Sequence, residues 1–314
     1  MGKRQSKSCP FVAKANSILM RKYAVFVLIY TLVVILFGAY VRISGSGAGC
    51  GEHWPTCDGE VVPGDLIKNH AKTIEYTHRL TSGLSGLFVL ALVLGVMRGR
   101  PQNQPARRWA LFSLLFIISE GLLGASLVLF RWVGMDASIG RGLMMPLHLG
   151  NTYLLLTALA LTVKALATEA APRLTRNRAI LIGAALLLIT GMFGAIAALG
   201  DTLFPGTKGI VTEGHTYLKL RNIHPFIAVL TIGHILAVAV RRRDEYNAET
   251  IGRWHLCDAV AFLAALQGII GIANIVLSAP AYMQIVHLLG SDILWITYSI
   301  WLFSAARPPE PAAV

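Results

Sequence analysis

The stretch IEYTHRLTSG, residues 74–83, sets Glu75, His78 and Arg79 together at the start of a long apolar run. Such runs recur along the chain, and His78, His148, His224 and His287 open the second, fourth, sixth and eighth of them. One histidine at a helix end usually makes an interfacial hydrogen bond. Four at matching depth, two in each half of the chain, ask for a bound group. Zinc or copper would want more ligands per site, with cysteine or carboxylate close by. Two histidines on facing helices of a four-helix bundle suit axial ligation of haem iron, giving one haem per bundle. At ~1.5 Å per residue the four rings should lie roughly 2–9 Å below the outer membrane boundary. Haem propionates would then face the outer surface, at the level of Arg42, Arg79, Arg131, Arg141 and Arg221. Arginine's planar fork suits carboxylates, and Arg79 and Arg221 are the candidate propionate contacts.

The halves are not chemically equal. Glu75 stands three residues before His78, which puts both on one helix face. The matching residue before His224 is Arg221. Two haems that only carry electrons would not need a carboxylate at one and a cation at the other. A haem that is itself altered could use Glu75 as a base or as a stabiliser of developing positive charge; Glu75 could also simply orient His78 or pair with Arg79. Glu120, deep in the third run, is a second intramembrane acid. Its counterpart is Gln267, so a helix-to-helix hydrogen bond is the simpler expectation. Asp292 is given no role. His234 reads as a hydrogen-bonded packing residue, and His53, His70, His215 and His255 as solvated.

Four cysteines divide into Cys9 and Cys257, expected on the cytoplasmic side and reduced, and Cys50 and Cys57, in the first outer loop. The segment GCGEHWPTC could close as a short disulfide loop. Such a loop would be a staple or a redox-active pair, and a metal site with His53 would need further ligands.

These residues must be positioned by membrane helices. The chain has 314 residues, 55% hydrophobic and 14% charged, too little polar surface to cover a soluble core. Eight runs are long enough to span a bilayer, at about 23–41, 77–97, 109–130, 143–166, 178–199, 221–240, 257–278 and 283–303. The net charge of +12 is concentrated before the first span and in every second connection, through residues such as Arg98, Arg107, Arg173 and Arg241. That is the positive-inside pattern. It places both termini in the cytoplasm, and with no recognition motif present nucleic acid is not an expected partner. The N-terminus has no signal-peptide cleavage site, and an inner (plasma) membrane is the expected location.

A tandem repeat is visible. EGLLG at 120–124 returns as QGIIG at 267–271, and PLHLGNTYLLL around His148 as IVHLLGSDILW around His287. GAYVRISGSG and GAIAALGDTLFPG match more weakly. The expected fold is all-α, two tandem four-helix bundles related by a pseudo-twofold axis along the membrane normal. The expected divisions are a basic tail (1–22), an N-terminal bundle (23–170), a C-terminal bundle (171–305) and a cytoplasmic tail (306–314). Small residues such as Gly121, Gly124, Gly268 and Gly271 would let helices approach closely.

With these motifs assembled, the chain resembles the haem A synthase family over about residues 23–303. The resemblance rests on GAYVRISGSGAGCGEHWPTC, IEYTHRLTSG, LHLGNTYLLL, GDTLFP, HPF and VHLLGSD. It implies an oxidoreductase that converts haem O to haem A, oxidising a ring methyl to a formyl group by successive hydroxylations and loss of water. It further implies that Glu75 is the essential acid, and that His78 and His148 ligate the substrate haem. His224 and His287 would ligate a resident haem b, and Cys50 and Cys57 form an outer-loop disulfide. A second cysteine pair, present in the third outer loop of some relatives, is missing here, which argues against a thiol relay. The implied partners are the haem O substrate, the haem O-forming prenyltransferase, cytochrome oxidase assembly factors and membrane lipid. The competing expectations are a di-haem cytochrome b working with quinol and a transporter. The first leaves Glu75 opposite Arg221 unexplained, and the second would be expected to show broken helices and midplane polar groups, for which Glu120, Gln267 and Asp292 are thin support.

Overall fold

The computed structural model describes residues 10–99, 105–168, 171–207, 209–246, 250–251 and 254–304, with side chains from residue 18 onward except at residue 246. The expectations for Cys9, for the basic residues Lys3, Arg4, Lys7, Arg100 and Arg253, and for the tail 306–314 lie outside the described residues.

Among the described residues the α-helices are α1 (Pro10–Ile43), α2 (His70–Gly99), α3 (Pro105–Leu129), α4 (Ile139–Thr168), α5 (Arg178–Leu203), α6 (Thr216–Arg221), α7 (Ile223–Arg241), α8 (Leu256–Val276) and α9 (Ala281–Leu302). Eight segments are long and apolar enough to cross a membrane, with α6 and α7 together forming one, Thr216–Arg241. The chain is an all-helical, multi-pass membrane protein. A two-residue antiparallel hairpin, Thr250–Ile251 on Trp254–His255, is the described exception.

Several helices begin earlier than apolarity alone suggests. Helix α1 starts at Pro10, so residues 10–22, expected as a tail, are helical. Proline suits the first helical turn, and no later residue up to Ile43 breaks the run. Apolarity reports where a helix can meet lipid, whereas the helix itself continues until its backbone is capped. The same effect places His78 eight residues after the start of α2, His148 nine after that of α4, His224 eight after Thr216 and His287 six after that of α9. The four rings therefore lie roughly 9–14 Å along their helices from the first helical residue. His70 is the first residue of α2 rather than a loop residue.

The sixth span is broken at Asn222, between α6 and α7, with Pro225 just beyond it. Proline has no N–H to donate, so the bond from residue 225 back to Arg221 that an unbroken helix would make is absent there. The Asn222 amide donates to the Val211 carbonyl at 2.8 Å, tying this break to the preceding loop. In α4, Pro146 sits inside the helix two residues before His148.

Helices α1, α4, α5 and α9 contact one another at the centre, with α2 and α3 beside α1 and α4, and α7 and α8 beside α5 and α9. One apolar core draws on residues 24–166 alone and another on residues 180–301 alone. Between them Tyr153 of α4 stacks on Trp295 of α9, ring centroids 4.6 Å apart and planes within 12°. The Trp295 indole N–H donates to the Tyr153 carbonyl at 2.7 Å and to Thr157 Oγ1 at 3.0 Å. Thr157 also meets Ser299 at 2.9 Å, and Tyr153 meets Ser291 at 2.6 Å. Lipid is as apolar as leucine, so packing and interhelical hydrogen bonds such as these hold membrane helices together. Trp295→Ala is expected to cost about 3–5 kcal/mol, read as a fall in the thermal unfolding midpoint in detergent. A variant as stable as the parent would show that the stack is incidental.

Candidate functional site

His78, His148, His224 and His287 all line one cavity of about 1860 Å³, opening between the helices. Ligand pockets are commonly ~300–1,000 Å³, so this space exceeds what one ordinary ligand fills. Glycines let the rings lie against neighbouring helices. A Cβ on Gly38 of α1 would stand 3.0 Å from His78, and one on Gly194 of α5 would stand 3.2 Å from His224. One on Gly271 of α8 would stand 3.2 Å from His287. Gly38 and Gly194 open the weakest of the repeat matches, GAYV and GAIA, yet each backs a histidine.

The His224 and His287 ring centroids are 6.2 Å apart. Two metal–nitrogen bonds of ~2.0 Å, each extended by the ~1.1 Å from ring nitrogen to centroid, sum to about the same length. The pair therefore fits axial ligation of one iron. Among the described residues there is no group of three or more His, Cys, Asp or Glu side chains able to hold a metal ion by themselves.

Glu75 is buried and lines the same cavity as His78. Its Oε2 accepts the Cys50 backbone N–H at 2.8 Å, and its Oε1 is 2.5 Å from Arg79 Nη2. Arg79 Nη1 donates to the carbonyls of His53 and Thr56, each at 2.6 Å. Cys50 and Cys57 are joined as a disulfide. Glu75 and Arg79 thus clasp the disulfide loop onto α2, one turn from His78. Cys50 can reach Glu75 because Gly49 lies flat on α2, where a Cβ would come within 2.5 Å of the Ala71 backbone. Gly49→Ala is expected to push this loop away and to destabilise the chain by about 1–3 kcal/mol. Faster labelling of the loop cysteines after mild reduction would report the displacement, and labelling at the parental rate would count against it.

The Nδ1 atoms of the four histidines have different surroundings. His148 Nδ1 is 3.3 Å from Glu120 Oε1, so the half-buried acid of α3 faces a histidine of α4. Glu120 also accepts from Asn151 Nδ2 and Thr152 Oγ1, both at 2.5 Å. His287 Nδ1 is 3.1 Å from Gln267 Nε2, and His224 Nδ1 is 3.1 Å from the Thr190 carbonyl. His78 Nδ1 is buried with no hydrogen-bond partner among the described residues, and His148 Nδ1 has the Glu120 carboxylate at ion-pair distance but outside hydrogen-bond geometry. The expected helix-to-helix hydrogen bonds of Glu120 are present, made by Asn151 and Thr152 of α4, and the same carboxylate faces the His148 ring.

The five arginines are placed differently. Arg131 is exposed and pairs with Glu52 at 2.5 Å, outside the cavity lining. Arg79 commits most of its donors as described. Arg221 pairs with Asp201 at 2.9 Å and donates to the carbonyls of Thr207 and Gly209, each at 3.0 Å. Arg42 reaches across from α1 to the Ala198 carbonyl at 2.6 Å, to Gln284 Oε1 at 2.9 Å and to Thr202. Arg141 is 4% exposed and uses Nη1 on the Gly134 and Asp136 carbonyls, while its Nε has no partner among the described residues. Arg42, Arg79, Arg141 and Arg221 all line the cavity. Asp201 was not singled out by sequence reading, although it belongs to the GDTLFP motif.

Of the remaining histidines, His234 Nε2 bonds the Ala179 carbonyl at 2.8 Å, as a packing residue would. His215 caps α6, accepting the Tyr217 N–H at 3.3 Å, and is half-buried rather than solvated. Asp292 is fully buried, and neither carboxyl oxygen has a hydrogen-bond partner among the described residues.

Fold and site together define a polytopic helical membrane protein in which His78, His148, His224 and His287 face one apolar cavity. The chain belongs to the cytochrome oxidase assembly protein family (COX15-CtaA), whose model matches residues 21–299. It is 43% identical over 292 residues to a Thermus thermophilus protein named protoheme IX farnesyltransferase, covering 89% of this chain and 46% of that one. It is 27% identical over 307 residues to a haem A synthase of Alkalihalophilus pseudofirmus, covering 92% and 98%. With a haem A synthase of Bacillus mycoides it shares 27% identity over 267 residues, covering 82% and 83%. The chain thus spans about half the length of its Thermus relative and nearly all of the Alkalihalophilus one.

Proposed function

We propose that the chain is a haem A synthase, an oxidoreductase that oxidises a ring methyl of haem O to a formyl group. The observation that carries this reading is the single cavity on which both histidine pairs open, with a buried acid, Glu75, beside one pair only. His78 and His148 would hold the iron of the substrate haem, and His224 and His287 that of a resident haem b. Haem b, when bound, supplies one-electron redox chemistry. Glu75, held by the Cys50 amide and Arg79, presents a fixed carboxylate next to His78. There it would accept a proton from the reacting carbon or stabilise positive charge developing on it. The disulfide loop would shield that carboxylate from water. The substrate's farnesyl tail would lie along apolar faces of the cavity. Its carboxylates would be met by the cavity arginines, with Arg141 Nε and the uncommitted donors of Arg221 available and Arg79 contributing at the loop.

In this reading the two halves are parallel repeats in a bacterial or archaeal plasma membrane, with both termini cytoplasmic. Arg98, Arg107, Arg173, Arg176 and Arg241 all lie at the end of the bundle opposite the disulfide, in keeping with that orientation. A haem O-forming prenyltransferase is the proposed partner. The Thermus relative that carries the farnesyltransferase name is about twice the length of the matched segment, and the same segment aligns nearly end to end with a haem A synthase. Both activities on one polypeptide would suit a substrate too insoluble to diffuse through water.

The test is pigment chemistry. The chain is co-expressed with a haem O-forming prenyltransferase in a host lacking haem A, and the extracted haems are separated by chromatography. Haem A should appear only when both proteins are present. A red protein yielding haem b alone, with haem O in the same membranes, would point instead to a di-haem cytochrome b.

A further inference from the structure

The two halves place a polar side chain at the same point of the sequence repeat and against the same kind of histidine, but they place a different one. In the first half it is Glu120 of EGLLG, 3.3 Å from His148 Nδ1. In the second it is Gln267 of QGIIG, 3.1 Å from His287 Nδ1. Each bridges from an odd-numbered span to the histidine of the next. The amide in the second half also donates to the His287 carbonyl at 2.9 Å, so a neutral side chain satisfies the helix-to-helix contact there. Packing therefore does not explain why the first half carries an acid.

The acid is also held in place. Asn151 and Thr152, which flank the next turn after His148, donate to its two oxygens. Asn151 is fixed in turn by Ser119 Oγ at 2.6 Å and by its own bond to the Phe116 carbonyl at 2.9 Å. A carboxylate facing a ring N–H draws that proton toward itself and makes the opposite nitrogen a stronger donor to a metal. A stronger donor stabilises the oxidised, more positive iron over the reduced one, and low-dielectric surroundings amplify the effect. The neutral amide, which meets His287 Nδ1 through its own N–H, exerts none of this pull.

We propose that Glu120 is a positioning residue that lowers the reduction potential of the haem held by His78 and His148 below that of the haem held by His224 and His287. The Glu120/Gln267 difference would then set the direction in which electrons leave the substrate site, toward the second haem. The inference rests on the proposed ligand role of the four histidines.

The experiment is a potentiometric titration of the haem-loaded protein, purified after co-expression with the prenyltransferase and followed by optical and electron paramagnetic resonance spectra. Glu120→Gln keeps the side chain's size and hydrogen bonding while removing its charge. It should raise the potential of the first haem by at least the equivalent of a tenfold change in its reduction equilibrium, about 59 mV for one electron. Gln267→Glu should lower the potential of the second haem, and the double exchange should narrow or reverse the gap. Unmoved potentials in haem-loaded variants, or shifts of opposite sign, would overturn the proposal. Should Glu120→Gln fail to retain haem, Gln267→Glu decides alone, and an unmoved second potential refutes the idea. A parent protein without histidine-ligated haem would instead mean that the ligand assignment has failed, and the inference would fall with it.

Discussion

Glu75→Gln should leave a folded, red protein in which haem A formation falls at least about 100-fold, the lower end of what a positioned acid–base group contributes. Glutamine keeps the side-chain length, and its amide oxygen can still accept the Cys50 N–H. What it removes is the charge, together with the ion pair to Arg79. Arg79 keeps its bonds to the His53 and Thr56 carbonyls, so the loop remains attached at two points. Chromatography of extracted haems should therefore show haem O, or a partly oxidised form, accumulating beside an unchanged amount of haem b. Haem A at the parental level would remove Glu75 from the chemistry. Loss of all pigment would mean that the clasp on the disulfide loop is its whole role.

His287→Ala should remove one haem per chain and leave the other. The 6.2 Å between the His224 and His287 rings suits two ligands on one iron, and losing one leaves that iron with a single protein bond. The haem-to-protein ratio, from pyridine haemochrome spectra against protein mass, should fall to about half of a fully loaded parent. His224→Ala should do the same, and the two together should cost no more than either alone, because residues that act as a unit are not additive. Substrate should still enter the first site, since His78 and His148 come from α2 and α4, but turnover should stop for want of an electron path. A full complement of haem in His287→Ala would break the assignment of this pair.

Much of this was legible in the chain itself. The cost of placing charge in lipid is local, so eight apolar runs, their basic connections and the exceptional Glu75 and Glu120 stand out without any knowledge of packing. The repeat aligned His78 with His224 and His148 with His287, and set Glu75 against Arg221. The family resemblance drawn from those motifs is the one the comparisons show. Helix ends were less legible, since α2 and α4 begin where Asn69 and Ser138 cap the backbone and not where apolarity begins.

The contacts made over long distances belong to the tertiary structure. Neither Arg42 reaching Ala198 and Gln284 nor Tyr153 stacking on Trp295 has a local sequence signal, because each depends on how helices far apart in the chain pack. The same holds for the bond from Glu75 to the Cys50 amide, which exists because Gly49 allows a loop backbone to lie on α2. Residue type and spacing by themselves determined which groups could do chemistry and how many membrane segments carry them. Only the folded helices decided that both histidine pairs open on one cavity, that Asp201 holds Arg221, and that Glu120 faces a histidine. Transfer energies are properties of single residues, whereas the partner of a buried polar group is chosen by the whole arrangement that excludes water and lipid around it.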